Sequence, residues 1–198
     1  MAGVDTRRVL VHREARMAYA EIPFAPITED LRQFVCSLQA GWLLIFCQME
    51  AAGAYQALLG KKYRRTCSWV KPDSAPQYTG DRPAQGQESL VCAWARPGRS
   101  RWNGGGKRGI YTHRVRDGHS RVHPTQKPVP LLKELLQDFT QPGDVILDPF
   151  MGSGSTGIAC LDTGRRFVGI EQDPATFQVA RHRLDVWARQ GRLPILIR

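Results

Sequence analysis

The chain has 198 residues, 28 basic and 18 acidic, for a formal net charge of +10, with 42% apolar and 23% charged residues. That composition is ordinary for one folded domain able to bury a core, and it excludes collagen and wholesale disorder. The apolar run Trp42 to Cys47 is far shorter than the roughly 20 residues of a membrane helix, and the MAGVDTRR start lacks the apolar stretch of a signal peptide. Five cysteines stand at 36, 47, 67, 92 and 160, odd in number and without a CxxC pair. They read as reduced thiols in a cytoplasmic protein, with neither a metal site nor a disulfide framework.

The charge is concentrated. Between Lys61 and Arg121 stand 14 basic and 4 acidic residues, a net of +10, while the remainder carries 14 of each and sums to zero. A solvated face normally mixes both signs, so one basic segment in a neutral frame points to a polyanion. Arginine supplies 22 of the 28 basic residues. Its planar fork grips phosphate oxygens in pairs, which suits nucleic acid.

In chain order, residues 28–39 predict a helix capped by Thr28, with Glu29 and Asp30 at its positive end and Leu31, Phe34, Val35 and Leu38 on one face. WLLIFC (42–47) predicts a buried strand and 48–59 a second helix. CSWVK (67–71) and ESLVCAWAR (88–96) are β-rich and are separated by a Pro/Gly/Gln loop. Residues 97–120 lack periodicity and read as a surface loop. Pro128 opens a third helix with a Leu131, Leu132, Leu135, Leu136, Phe139 stripe. VILDPF (145–150) is a strand running into MGSGSTG (151–157) and a helix; FVGIE (167–171) and a helix from about Pro174 to Ala188 follow. Strands alternating with helices predict an α/β fold with a doubly wound, mostly parallel sheet and one antiparallel hairpin. One domain is expected over 1–198, divided into 1–60, the basic 61–121 and a ligand-binding 122–198.

Gly152-Ser-Gly154-Ser-Thr-Gly157 is a GxGxxG between strand and helix, and Glu171 ends the next strand. Such glycines let the backbone approach a nucleoside, and the acid accepts from ribose hydroxyls. The pattern also fits a dinucleotide enzyme. Against that, only 27 residues follow Glu171, and Asp148-Pro149-Phe150 precedes the glycines. A carboxylate and a ring there suit a cationic methyl donor, whose ammonium pairs with the acid and whose sulfonium faces the ring. Asp148 could instead simply cap the loop. No GK[ST] follows, which excludes a P-loop.

DPFMGSGSTGIAC (148–160), HPTQKPVPLL (123–132) and VGIEQDPATFQVARHRL (168–184) together resemble the cofactor motifs of the DNA amino-methyltransferases, which act on adenine N6 or cytosine N4. PQYTGDRPAQGQES and RWNGGGKRGIY resemble phage and prophage members. Cofactor motifs after the basic segment match the family's β arrangement. The resemblance implies a Rossmann-like methyltransferase fold and S-adenosylmethionine as cofactor. It places Asp148, Pro149, Phe150, Gly152, Ser153 and Gly154 around the methionine and adenosine, Glu171 on the ribose, Gln172 near the adenine, and Thr125, Gln126 and Lys127 at the carboxylate end. Lys127 also reads as a surface lysine at a helix start, and His123 as structural. Double-stranded DNA is the implied partner, with Arg82, Arg99, Arg101, Trp102, Arg108 and Tyr111 as contacts. Trp69, Tyr78, Trp102 and Tyr111 interleave with the arginines as base-stacking surfaces do, although Trp69 also reads as sheet core. DNA methylation in a restriction-modification or phage setting is the implied role.

The family's catalytic motif, an Asp, Asn or Ser followed by Pro-Pro and an aromatic, is absent, since no two of the 13 prolines are adjacent. The nearest match is Glu21-Ile22-Pro23-Phe24, after MAYA, which reads as a short strand. This leaves Glu21, Pro23 and Phe24 as the catalytic candidates. The motif-bearing strand is expected upstream, and the MAGVDTRRVLVHR start fits a truncation, a late start codon or a gene remnant. The chain as it stands is therefore expected to transfer little or no methyl group, unless a homodimer or a partner supplies the missing half. Two other readings remain: a non-catalytic DNA- or partner-binding subunit of the same descent, and an RNA or small-substrate methyltransferase.

Overall fold

The computed structural model describes residues 6–13, 16–23, 28–38, 40–116 and 126–190, with side chains from 28 onward. The chain packs as two compact units, 1–38 and 39–198. The division falls after the first helix, in a short stretch around Gly41 that carries no Pro/Gly-rich linker to mark it in the sequence.

In the first unit, β1 (Thr6–Arg13) and β2 (Arg16–Pro23) form an antiparallel pair in which Arg13 faces Arg16 and Thr6 faces Pro23. MAYA lies within β2. Its pairing partner β1 is hard to see in the sequence, because flanking arginines obscure the Val-Leu-Val run. α1 (Glu29–Ser37) starts at Thr28, whose hydroxyl accepts the Leu31 N–H at 3.3 Å. That bond satisfies one of the orphan donors of the first turn.

The second unit begins with β3 (Trp42–Cys47), followed by a 3-10 turn (Met49–Ala51), α2 (Ala52–Leu59) and another 3-10 turn. β4 (Tyr63–Val70), β5 (Gln87–Trp94) and β6 (Ile110–Thr112) complete a sheet of order β3-β5-β4-β6. β5 runs antiparallel to both neighbours, with Trp42 facing Trp94 and Trp69 facing Glu88. It is the most buried strand, so its LVCAW run is apolar on both faces. β6 corrects the expectation of a surface loop across 97–120. Ile110–Thr112 pairs in parallel with Ser68–Val70, seeded by Ser68 N–H to the Gly109 carbonyl at 2.8 Å. A Cβ on Gly109 would stand 2.6 Å from the Cys67 sulfur, so only glycine lets this short strand reach the sheet.

α3 (Val129–Phe139) leads to β7 (Val145–Asp148), α4 (Ser155–Thr163), β8 (Arg166–Gly169) and α5 (Pro174–Gln190). β7 and β8 pair in parallel. α3 is apolar on two sides and serves both sheets. Leu131, Leu135 and Phe139 pack with Trp69, Leu90 and Tyr111, while Val129, Leu132 and Leu136 pack with Ile158, Ala159 and Cys160 of α4 and with Ile146 and Phe167. Phe46 of β3 touches both groups. Truncating a residue as buried as Leu135 to alanine costs about 2–5 kcal/mol, because the cavity cannot collapse. The result is a mixed α/β architecture in which β5 is antiparallel to both β3 and β4, where one antiparallel hairpin was expected, and β4–β6 and β7–β8 are parallel. No described helix is long and apolar enough to cross a membrane.

Candidate cofactor loop and nucleic-acid interface

β7 delivers Asp148 to the head of the glycine loop, and its carboxylate organises that loop. One carboxylate oxygen accepts the Phe150 N–H at 3.0 Å and the other accepts the Thr156 hydroxyl at 2.6 Å, joining the loop's entry to the first turn of α4. Asp148 is thus a loop cap. Each oxygen still has a second lone pair, so capping does not preclude holding a ligand. Glu171, just past β8, accepts the Gly152 N–H at 3.0 Å and the Asp173 N–H at 2.9 Å. Asp148, at the end of β7, and Glu171, just past the parallel β8, therefore grip one loop from its two sides.

Two glycines divide the geometric work. Gly152 has φ +51°, in the left-handed region, and a Cβ there would meet nothing within 4 Å. Open space beside a glycine backbone is where a ligand can come close. A Cβ on Gly157 would stand 2.6 Å from Leu184 and 2.8 Å from Phe167, so this glycine lets α4 pack tightly on β8 and α5. Ser153 is buried, its carbonyl accepting from the Arg183 guanidinium and its hydroxyl 3.5 Å from the Gln126 side-chain oxygen. The Ser155 hydroxyl, buried at the start of α4, has no hydrogen-bond partner among the described residues. It lies where the helix presents its unpaired N–H groups and positive end. Phe150 is half exposed beside the loop, and Gln172 is exposed after Glu171.

The structure thus brings together Asp148, Phe150, Gly152, Ser153, Gln126 and Glu171. It gives Lys127 a different connection. The Lys127 ammonium binds Glu88 of β5 at 2.9 Å and lies 5.1 Å over the Phe46 ring and 5.5 Å over the Trp69 ring. Thr125 lies outside the described residues, as does Phe24. Glu21 and Pro23 are in β2, opposite Arg8 and Thr6. Sequence reasoning misses Thr156 and Arg183. Thr156 sits inside the glycine motif and could be read as Asp148's partner, but nothing local marks Arg183.

In the basic segment the four aromatics separate. Trp69 is 2% exposed, with its N–H on the His113 carbonyl at 2.9 Å, and belongs to the core. Tyr111 corrects the expectation of a DNA contact: it is 1% exposed and its hydroxyl donates to buried Asp138 at 2.9 Å, so no base can stack on it. Trp102 is half-buried, edge-on to Phe139 at 5.0 Å, and donates to the Gly105 carbonyl at 2.8 Å. Only Tyr78, 75% exposed, presents its ring to solvent among these four. Arg82, Arg99, Arg101 and Arg108 are all exposed.

Loop 97–109 is held to α3 by Asn103, whose amide donates to the Gln137 and Thr140 carbonyls at 2.8 Å each, and by Lys107, on Glu134 at 2.6 Å and Asp138 at 2.5 Å. His113 adds a 2.5 Å contact to Glu134. Burial pushes the Glu134 carboxyl up, but His113 and Lys107 outweigh it and hold the carboxyl below its ordinary value. Arginines on a pinned loop lose less backbone freedom on meeting phosphate.

A glycine loop between a strand and a helix, held by an acid at the end of β7 and another just past β8, is the arrangement with which α/β proteins can cradle a nucleoside. A profile of the N6/N4 methyltransferase family, described as DNA methylase, matches residues 39–182, and the chain belongs to that family. Among curated relatives, the type II methyltransferase M.XycI of Xanthomonas campestris pv. cyanopsidis is 34% identical over 128 residues, covering 59% of this chain and 42% of that protein. The putative methylase YubD of Escherichia coli strain K12 is 56% identical over 52 residues, covering 26% of this chain and 23% of that protein. The chain therefore spans less than half the length of either relative. Among solved structures, the M1.HpyAVI–SAM complex superposes with a TM-score of 0.68 at 28% identity, covering 79% of this chain and 82% of that one.

Proposed function

We propose that the chain is a DNA amino-methyltransferase domain that binds S-adenosylmethionine at Asp148–Gly154 and Glu171 and duplex DNA along its basic segment. The methyl acceptor would be an exocyclic amine, N6 of adenine or N4 of cytosine. The observation that carries this reading is the Glu171–Gly152 tie beside open space: an acid already placed at the loop, with lone pairs left for ribose hydroxyls. The Ser155 hydroxyl, without a partner among the described residues, the N-terminus of α4 and the exposed Phe150 ring fit the polar and sulfonium parts of the same ligand. When bound, S-adenosylmethionine supplies the activated methyl group. The chain's own residues hold it: Glu171 on the ribose, Gln172 near the adenine, Asp148 and Phe150 at the methionine part, and Thr125 and Gln126 at its carboxylate end.

A second reading is favoured by one sequence fact, the absence of any Pro-Pro pair. Here the domain binds cofactor and DNA while a second copy or another chain supplies the catalytic residues. A restriction-modification or phage setting and a cytoplasmic location, in keeping with five unbonded cysteines, belong to the same proposal. The test is transfer of label from S-adenosylmethionine to DNA, to RNA, or to no acceptor, beside calorimetric binding of S-adenosylhomocysteine. Binding without transfer supports the second reading; transfer to RNA alone, or preference for NAD, overturns both.

A further inference from the structure

We infer that Glu88 of β5 is a positioning residue for the cofactor loop, acting through Lys127. This rests on the proposed cofactor site. Glu88 is one of three described acids in the basic segment, and each has a structural task. Asp73 accepts the Val115 and Arg116 N–H groups, and Asp81 binds the Thr79 hydroxyl within its own turn. Glu88 bridges two ammoniums: Lys71 at 2.5 Å on one oxygen and Lys127 at 2.9 Å on the other. Its side chain is 21% exposed and the ion pair borders the Trp69 and Phe46 rings, so water screens it weakly.

The two lysines differ in what they carry. Lys71 continues β4 into the Pro/Gly loop. Lys127 lies between Gln126 and the proline that opens α3. Gln126 is 6% exposed and stands 3.5 Å from the Ser153 hydroxyl of the glycine loop. The path from the four-stranded sheet to the cofactor loop is therefore Glu88, Lys127, Gln126, Ser153. Without the carboxylate, the Lys127 ammonium would keep only the two rings among its described partners, and its shift toward water would pull on the 126–128 backbone. Burial pushes the Glu88 carboxyl up, yet Lys127 and Lys71 outweigh it and keep the carboxyl below its ordinary value, as a charged anchor requires.

The test is titration of S-adenosylhomocysteine into the full chain and into Glu88→Gln, Lys127→Met, the double variant and Lys71→Met, with a thermal melt of each. Glu88→Gln and Lys127→Met should each weaken binding about tenfold, and the double variant no more than the worse single one, as for residues acting in one path. Lys71→Met also breaks a half-buried ion pair, so it controls for destabilisation alone and should leave ligand affinity unchanged. Amide exchange at Gln126, Lys127 and Val129 should speed up in Glu88→Gln but not in Lys71→Met, a readout that needs no ligand. Unchanged affinity in Glu88→Gln, additive losses in the double variant, or an equal loss in Lys71→Met overturns the assignment while the cofactor reading stands. Failure of the unsubstituted chain to bind overturns both.

Discussion

Glu171 holds the Gly152 backbone N–H at 3.0 Å, across the mouth of the glycine loop from Asp148. One residue thereby shapes the loop and keeps acceptor capacity for a ligand. Glu171→Ala should weaken S-adenosylhomocysteine binding by about 1–3 kcal/mol, since charged hydrogen bonds to ligand and loop are both lost. Calorimetry measures it. Equal binding by the variant would remove Glu171 from the site.

DNA affinity should fall steeply with salt, because phosphate contacts release counterions. Charge reversal at Arg99, Arg101 and Arg108 together should weaken binding and flatten that slope. Tyr78→Ala should cost about 1–3 kcal/mol on single-stranded or distorted DNA if its exposed ring stacks on a base. Tyr111→Phe should instead leave DNA affinity alone and lower the melting temperature, because its hydroxyl serves Asp138. Fluorescence anisotropy across a salt series separates these outcomes.

Acid should loosen the junction between sheet and loop. The Glu88 carboxyl is raised by burial and lowered more by Lys127 and Lys71, so its folded pKa lies below its unfolded one. Its contribution to stability is therefore present above the unfolded value, about pH 4.3, and is lost as pH falls through the folded value. The melting temperature should drop over that interval and drop less in Glu88→Gln. Parallel curves for the two proteins would show that the ion triad contributes nothing there.

The elements and cofactor motifs are legible in the sequence because each rests on local pattern. Thr28 caps α1, the leucines of α3 recur at helical spacing, and the glycines sit between a strand and a helix. Long-range pairing is what escapes. β6 is three residues whose strand character comes from Gly109 slipping past Cys67, and an Arg/Gly-rich stretch gives no hint of that. Tyr111 among arginines reads as a surface ring; only the register that places it beside Trp69 shows it buried. Lys127 reads locally as a ligand contact or a surface lysine, and its partner Glu88 is 39 residues away.

Transfer of a methyl group to DNA by this chain alone should be slow or undetectable. Holding the cofactor positions the methyl group, but the acceptor amine is a poor nucleophile because its lone pair is delocalised into the base. Groups that accept the amine's hydrogens and a ring that holds the flipped base must supply the rest. Each missing preorganised polar group typically costs on the order of 10²–10³ in rate. Glu21 and Phe24 supply an acid and an aromatic in the right order, but Glu21 is longer than the motif's Asp, Asn or Ser and Ile22 stands where a rigid Pro-Pro turn needs its first proline. The measurement is a radiolabelled transfer assay on duplex DNA with the purified chain, Glu21→Ala and Phe24→Ala. Robust transfer abolished in both variants would make Glu21-Ile22-Pro23-Phe24 a working motif. Transfer that survives both would place the chemistry on a residue outside it, and transfer that appears only when a second protein is added would place it on that partner.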